Sequence, residues 1–228
     1  KAAIAETFDT ADNQDDMRTI VYARNASFEI AKRRGVQYFI QLDDDYTHFE
    51  YRWDSRRQYA TGRPVRSLDQ VFGAALGFLK ATGISTIAFA QGGDFIGGRH
   101  NGTFGTAIRM KRKAMNSFIC DTDRPIGFLG RINEDVNTYT RQATTGAVML
   151  TANNVSLTQV TTQHSTGGMT DIYEASGTYV KSFYSVMFHP SGVVVYPMGD
   201  RSMRLHHRVD WKATTPMIIR EDHRKAAG

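Results

Sequence analysis

The pattern of apolar and polar residues first predicts a helix that is followed by a strand. Apolar residues recur at helical spacing from Ala23 to Ala31. Three basic residues fill the predicted last turn, where cations suit the helix dipole, and Gly35 supplies the stop. From Val36 to Leu42, apolar residues recur at alternate positions, as in a β-strand.

A second helix and a second strand follow in the same order. Ser67 and Gln70 have the spacing of a capping box, and they open a helix that ends at Gly83. An apolar strand is predicted from Ile84 to Ala90, before a glycine-rich turn. Because a helix precedes a strand twice over, we predict an α/β fold with a sheet of mostly parallel strands flanked by helices.

The second half of the chain is less regular. We predict short strands at residues 117–120, 147–151, 193–196 and 203–209, and a helix at residues 179–188. No internal repeat or long linker divides the 228 residues, so a single domain over residues 1–228 is expected.

Composition and charge narrow the function classes. Lys and Arg number 28 against 23 Asp and Glu, a net charge of +5 that favours a polyanionic partner such as DNA, although a nucleotide is anionic as well. The basic clusters lie at residues 32–34, 56–57, 111–113 and 204–208.

No apolar run approaches the roughly 20 residues that span a bilayer, so no membrane partner is expected. Cys120 is the only cysteine, which excludes an intramolecular disulfide and favours a reducing compartment such as the cytoplasm.

Three consecutive carboxylates, Asp43, Asp44 and Asp45, directly follow the first predicted strand. Ligands of open α/β sheets bind beyond the carboxyl ends of strands, so a functional site is expected here. In an extended chain Asp43 and Asp45 point the same way, and a cation would relieve their repulsion. Carboxylate oxygens suit Mg²⁺ or Mn²⁺, which would bridge the diphosphate of a nucleotide-sugar. The alternative is an acidic turn that caps the next segment.

Paired carboxylates, Glu134 and Asp135, follow an apolar stretch that ends at Leu129. A sugar transfer with inversion needs one carboxylate to take a proton from the acceptor hydroxyl, and this pair offers two candidates. The alternative is the first turn of a helix, which is commonly enriched in Asp and Glu.

Two adjacent histidines, His206 and His207, lie on the last predicted strand. Strand alternation places His207 on the packed side with Leu205, and His206 on the polar side with Arg208. Histidine is a frequent ligand of divalent cations, so one of the two is a candidate metal ligand, while a structural pair is the alternative.

These motifs, in this order, resemble those of the GT-A glycosyltransferases, from Arg24 through the Asp43–Asp45 segment and residues 133–135 to the histidine pair. More narrowly, the chain resembles the phage TET-associated glycosyltransferases over residues 127–137, 177–184 and 206–211. The resemblance implies a GT-A-like, Rossmann-related fold. It also implies transfer of a sugar, with inversion, from a nucleotide-sugar, expected to be a UDP-sugar, to oxidised 5-methylpyrimidines such as 5-hydroxymethylcytosine in DNA.

The resemblance further implies a role for each motif. The residues that would contact the donor nucleotide are Asp43, Asp44 and Arg24. The ligands that would hold Mn²⁺ or Mg²⁺ are Asp43, Asp45 and one or both of His206 and His207. Asp135 would be the general base, with Glu134 as its rival. The family's first nucleotide-binding strand is not evident near the acidic loop predicted at residues 6–16, so we expect it upstream of Lys1.

Other functions remain open at this stage. A GT-A glycosyltransferase that acts on carbohydrate, protein or lipid would need a less basic acceptor surface. A sugar nucleotidyltransferase would usually carry a glycine-rich phosphate loop near its start, and none is evident. A DNA-binding protein without catalysis would keep the basic clusters but would not need three aspartates after a strand.

Overall fold

The computed structural model describes residues 19–56, 58–95, 107–159, 180–199 and 204–223. The helices are α1 (Val21–Arg33), α2 (Leu68–Thr82), α3 (Glu134–Thr145) and α4 (residues 180–188). The strands are β1 (Tyr38–Leu42), β2 (Tyr46–Trp53), β3 (Tyr59–Pro64), β4 (Thr86–Gln91), β5 (Ile108–Arg109), β6 (Ser117–Asp121), β7 (Met149–Gln159), β8 (Val193–Met198) and β9 (Arg204–Val209). The predicted loop at residues 6–16, Arg57 and Met203 lie outside the described residues.

Both predicted helix–strand units are present in the structure. α1 ends with two basic residues and is followed by Gly35 in the left-handed conformation, and α2 ends in the same way at Gly83. The capping box at Ser67 does not form, because its side chain makes no hydrogen bond to the start of α2. The predicted helix before β8 and the strands of the second half are also found, within a few residues of the expected bounds.

The sheet is mostly antiparallel, so the predicted sheet of mostly parallel strands was wrong. Its order is β1-β6-β4-β7-β2-β3, with β5 also paired to β7, and the β4–β7 pair alone is parallel among the described strands. Two features account for the difference. The sequence pattern did not reveal the β2–β3 hairpin between the two units, and β6 lies between β1 and β4 with its direction reversed.

The strands β1, β4 and β7 nevertheless run in the same direction, so their carboxyl ends meet at one edge of the sheet. Leu42, the last residue of β1, is paired with Ser117, the first residue of β6. Tyr46, the first residue of β2, is paired with Gln159, the last residue of β7. Residues 43–45 therefore run along this edge, from one side of the sheet towards the other.

Hydrophobic residues fill both faces of the sheet. One core joins α1 and α3 to the sheet, where Ala88, Phe118 and Cys120 contribute. The other core lies under α2 and includes the alternate residues, such as Ile87 and Ile119. This alternation covers both faces of the central strands with helices, as an α/β fold requires.

The segment from α4 onwards forms a smaller layer beside α3. Tyr184 and Phe188 of α4 pack against Ile132, and Trp211, beyond β9, stacks on Tyr139 of α3 at 5.6 Å between ring centroids. β8 and β9 pair as an antiparallel two-stranded sheet. Within the described part of the chain, no helix is long and apolar enough to cross a bilayer.

Candidate active site

Arg24 joins the two acidic motifs that the sequence singled out. Its side chain donates a hydrogen bond to Asp43 Oδ1 at 2.7 Å and another to Glu134 Oε1 at 2.9 Å. The Arg24 side chain is 3% exposed, so both ion pairs lie almost entirely away from water. One guanidinium group therefore holds Asp43 together with Glu134, although Glu134 lies 110 positions from Arg24 in the chain.

The surroundings of Arg24 fix its position. Asn116 accepts a third hydrogen bond from the guanidinium at 3.0 Å. The rings of Phe118 and Phe128 lie 5.3 and 5.4 Å from its central carbon, at distances typical of cation–π contacts. Asn116 has a φ of 51°, a left-handed conformation that asparagine tolerates better than most residues. A buried cation with this many partners is suited to orienting carboxylates.

The three aspartates differ in their environments. Asp44 is exposed, whereas Asp43 and Asp45 are half-buried. Gln159, at the end of β7, donates a hydrogen bond to Asp45 Oδ2. Asp45 Oδ1 is buried, and it has no hydrogen-bond partner among the described residues. Asp45 thus presents a buried carboxylate oxygen that is available to a ligand.

The next residue, Tyr46, ties the acidic segment to the sheet edge. Its hydroxyl donates a hydrogen bond to the main-chain oxygen of Asn116 at 3.0 Å and accepts one from Gln91, at the end of β4, at 3.2 Å. Burial raises the pKa of the Tyr46 phenol, and the charge of Asp43 adds to that effect. Tyr46 therefore stays neutral, and its two hydrogen bonds fix the acidic segment to the ends of the neighbouring strands.

Burial makes the carboxylates of this site hard to ionise. It raises the pKa of Asp43 to about 6, against the lowering effect of Arg24, and the charges of Asp135 and Asp45 raise it further. Burial and the charge of Asp135 raise the pKa of Glu134 to about 7. The pKa of Asp135 is also raised by burial. These mutual effects show that the two motifs form one electrostatic cluster, in which an added cation would be strongly stabilised.

The two carboxylates of α3 are held in different ways. Glu134 is ion-paired with Arg24, whereas Asp135 accepts a hydrogen bond from the main-chain N–H of Val136 at 2.7 Å. The preceding Asn133 has a φ of 54°, and its side-chain amide donates to the main-chain oxygen of Lys181. The start of α3 is thus fixed to α4, which explains why this stretch is buried although it is polar.

Gly130 allows the chain to turn into the start of α3, where Glu134 and Asp135 lie. It has a φ of 82°, and a Cβ atom there would lie 2.6 Å from the side-chain amide of Asn137 and 2.8 Å from the ring of Tyr184. Tyr184 in turn accepts a hydrogen bond from the main-chain N–H of Arg131. Only glycine fits this conformation and this space together.

The histidine pair lies beyond Lys181 from the carboxylates. Tyr196 is the cross-strand partner of His206 and Val195 that of His207. The predicted division into a packed and a polar side is not observed, because Leu205 is exposed, both histidines are half-buried and their imidazole rings are 4.3 Å apart. Burial lowers the pKa of His207 to about 4, and the charges of His206 and Lys181 lower it further. Burial lowers the pKa of Lys181, while the charge of Asp135 acts against that shift. Lys181 therefore interacts electrostatically both with the candidate base and with His207.

The described residues contain no ready-made cluster of three or more His, Cys, Asp or Glu side chains around a metal position. The charges of Asp43 and Asp45 interact, but the described residues do not group His206 or His207 with these two aspartates around one metal position. A Mg²⁺ or Mn²⁺ site often uses only one or two carboxylates together with substrate phosphates, so the arrangement fits a cation that arrives with the donor.

Sequence reasoning missed several residues of this site. Asn116, Tyr46, Gln159 and Lys181 are neither in an acidic run nor in a recognisable motif, and their roles depend on partners far away in the chain. One weak signal was available, because Tyr46 directly follows the three aspartates.

The basic clusters differ in whether their side chains are exposed and free to contact an anionic partner or are used in ion pairs within the fold. Arg112 and Lys113 are both ion-paired with the buried Asp94, at 2.6 and 3.4 Å, so they serve the fold. Lys111 beside them is exposed, as are Lys32 and Arg33 at the end of α1. Arg204 and Arg208 of β9 are exposed as well.

Comparison with known proteins places the chain in a family. No curated protein and no solved structure gave a significant match. The family model described as "TET-Associated Glycosyltransferase" matches residues 9–168, which is more than half of the chain and includes both acidic motifs. This chain therefore belongs to the TET-associated glycosyltransferase family, whose name indicates a glycosyltransferase that acts on modified DNA bases.

Proposed function

We propose that this protein transfers a sugar from a nucleotide-sugar, such as a UDP-sugar, to a hydroxymethylated pyrimidine in DNA, with inversion and with help from a divalent cation. The observation that carries the proposal is the Arg24 bridge between Asp43 and Glu134, because it joins a donor-side acidic segment to a pair of candidate bases. The family provides the reaction class and the DNA acceptor. A bacterial cytoplasm during phage infection is the setting that fits this acceptor.

The donor side of the site fits Mg²⁺ or Mn²⁺. Asp45 offers a buried oxygen that lacks a hydrogen-bond partner, and the charges of Asp43 and Asp45 repel each other. Hard oxygen ligands of this kind are what these cations bind, and His206 or His207 would supply a further ligand. When bound, the cation neutralises charge on the diphosphate of the donor. Asp44, the exposed member of the triplet, would contact the ribose.

Asp135 is the better candidate for the base. Glu134 is held by Arg24 in a direct ion pair, which reduces its basicity, whereas Asp135 has no ion pair with any residue that the structure describes. Burial raises the pKa of Asp135, and a carboxylate with a raised pKa is a stronger base once it is ionised. We therefore assign Glu134 the role of holding Arg24 and Asp135 the role of taking the proton.

The transfer is then a single displacement. The hydroxyl oxygen of the acceptor pyrimidine forms a bond to the anomeric carbon of the sugar, while the bond from that carbon to the diphosphate breaks. The proton of the hydroxyl goes to Asp135, and the electron pair of the broken bond leaves with the nucleoside diphosphate. A base in a duplex is hidden in the stack, so the acceptor must be flipped out or single-stranded.

The test is a transfer assay that reads out the modified nucleoside by mass spectrometry. Purified protein is incubated with individual nucleotide-sugars, Mn²⁺ and DNA that contains 5-hydroxymethylcytosine. We expect a glycosylated nucleoside of inverted anomeric configuration, and no product in excess chelator. Asp135→Asn should reduce the rate by ~10²–10⁴, while the exposed Asp69→Asn on α2 should not.

Each other outcome identifies a different function. Transfer to carbohydrate, protein or lipid but not to DNA would refute the DNA acceptor and keep the chemistry. DNA binding without turnover of any nucleotide-sugar would favour a non-catalytic binder. A product of retained configuration would exclude the single displacement.

A further inference from the structure

The two-stranded sheet of β8 and β9 has one face that is both basic and apolar. Alternate residues of β8, namely Val194, Tyr196 and Met198, are 43–46% exposed. Their cross-strand partners on β9 include Arg208, opposite Val194, and Arg204, opposite Met198, and both arginines are exposed. We call these five residues the ribbon face. Large side chains of this kind are not usually left in water together unless they contact something.

Tyr196 and Arg208 form a preorganised pair on the ribbon face. The central carbon of the Arg208 guanidinium lies 4.3 Å from the centroid of the Tyr196 ring. An arginine stacked on an exposed tyrosine keeps its donors pointing outwards, and Arg and Tyr are common in contacts with phosphates and bases. The pair therefore offers an apolar plane and a fixed cation side by side.

The helix and strands of this layer carry charge of one sign, although the exposed Asp210 directly follows β9. Residues 180–199 and 204–209, which cover α4, β8 and β9, contain no Asp or Glu, although the whole chain has 23. They contain three Lys or Arg residues, Lys181, Arg204 and Arg208. A polyanion could therefore approach this layer without meeting a carboxylate that belongs to it.

The ribbon face also adjoins the candidate active site. Ser182 of α4 donates a hydrogen bond to the main-chain oxygen of Leu205 on β9 at 3.2 Å. The pKa of the neighbouring Lys181 is affected by the charges of Asp135 and Glu134, and also by the charge of Arg204 on β9. A macromolecule on this face would thus lie close to α4, which carries Lys181, and the charge of Lys181 interacts with that of the proposed base.

We infer that the ribbon face, formed by Val194, Tyr196, Met198, Arg204 and Arg208, is the surface on which the DNA acceptor binds next to the active site. The inference rests on the proposed function, since it names the binding surface for the proposed acceptor. A two-stranded antiparallel ribbon has the width that the major groove of B-DNA admits, and its arginines match the phosphate charge. The apolar side chains give contacts to sugars and bases that a purely basic surface would lack.

The test compares the double variant Arg204→Gln, Arg208→Gln with a control of equal charge loss, Lys32→Gln, Arg33→Gln, at the exposed end of α1. Binding of a duplex that contains 5-hydroxymethylcytosine is measured by fluorescence anisotropy from 50 to 300 mM salt. Each phosphate contact contributes about 0.9 to the slope of log K against log salt, so the ribbon variant should lose about 2 from that slope. Its Kd should rise at least about tenfold at 0.1 M salt, whereas the control should change little.

A third variant, Tyr196→Ser, should weaken binding without a change in the salt slope. Hydrolysis of the nucleotide-sugar in the absence of DNA is measured for every variant, because loss of folding would lower it and loss of DNA contact would not. If the wild-type protein modifies DNA and the two double variants bind it equally well, the ribbon face is not the acceptor surface. If the wild-type protein modifies no DNA, the proposed acceptor is wrong. If substitutions on the ribbon face nevertheless weaken duplex binding in that case, the ribbon face is the surface of a DNA-binding protein.

Discussion

Replacing Arg24 with methionine should destabilise the protein by about 3–5 kcal/mol at pH 8, because it leaves two buried carboxylates without their cation. The side chains of Asp43 and Glu134 are only 16% and 8% exposed, so water cannot easily replace the guanidinium. Methionine keeps an unbranched apolar side chain against Phe118 and Phe128, which limits the contribution of lost packing. At about 2–4 °C per kcal/mol, the expected fall in Tm is roughly 6–20 °C.

The loss should also depend on pH, and its sign follows from the carboxyl pKa values. Burial raises the pKa of Asp43 to about 6 and that of Glu134 to about 7, while Arg24 lowers both. Removing Arg24 should therefore raise both values further. A carboxyl whose pKa is higher in the folded than in the unfolded protein costs stability as the pH rises from its unfolded value, about 4, through its folded value. The stability that Arg24→Met loses relative to the wild type should thus be small near pH 5 and grow towards pH 8. The loss should reach about 1.4 kcal/mol for each unit by which the substitution raises a carboxyl pKa.

Urea unfolding followed by circular dichroism at pH 5 and pH 8 would measure both effects. Arg33→Met, at the exposed end of the same helix, is the matched control and should cost less than about 0.5 kcal/mol. Arg24→Lys keeps the charge but loses the fork that reaches two carboxylates, so an intermediate loss is expected. A deficit below about 1 kcal/mol at pH 8, or an equal deficit at both pH values, would show that Arg24 does not hold the cluster as described.

Other substitutions and titrations test separate parts of the structure. Gly130→Ala should cost about 2–4 kcal/mol in urea unfolding, because it adds a clash at a positive φ, whereas Gly73→Ala in open space on α2 should stabilise by about 0.5–1 kcal/mol. Calorimetric titration with Mn²⁺ should give tighter binding as the pH rises from 5 to 7, because protons compete for Asp43, whose pKa is about 6; binding that weakens over this range would contradict the assignment. His206→Ala should weaken Mn²⁺-dependent donor binding, while His207→Ala should mainly lower the Tm, since the desolvated His207 ring would leave a gap in the packing; the reverse outcome would exchange their roles.

Local sequence patterns were sufficient to predict the elements that carry the first acidic motif. A helix with a basic last turn and a glycine stop, followed by an alternating strand, needs no information from the rest of the chain. The prediction that Asp43–Asp45 would lie beyond a strand end was correct for the same reason, and the structure places this segment at the edge where β1, β4 and β7 end.

Strand direction could not be predicted in this way. β2 carries polar or charged residues at many positions, such as His48, Glu50 and Arg52, because the strand lies near the side of the sheet and is only partly covered. Its pattern therefore resembled that of a loop, and the hairpin it forms with β3 was missed. β6 is entirely buried, so its hydropathy reveals a strand but carries no information about which way it runs.

The candidate site was harder to predict because its buried residues are polar. Along α3, Asn137, Thr138 and Thr140 are completely buried, and each donates a side-chain hydrogen bond to a main-chain oxygen. Hydropathy assigns such residues to the surface, since it records the cost of burying a polar group but not the partner that offsets it. That partner is often distant in the chain, as when Asn133 donates to the main-chain oxygen of Lys181.

Within this polar interior, two carboxylates of the candidate site form no ion pair with any described residue. Asp45 Oδ1 is buried without a hydrogen bond, and Asp135 stays buried with a raised pKa while its neighbour Glu134 takes the ion pair with Arg24. Folding alone gives no reason to keep either carboxylate, because an apolar or amide side chain would cost less to bury. A ligand that brings positive charge to Asp45 and a proton to Asp135 would remove both costs, and a donor carried by a cation together with an acceptor hydroxyl supplies that pair of groups. Two carboxylates that folding alone does not require are therefore the ones that would supply the two functional oxygens of the proposed reaction.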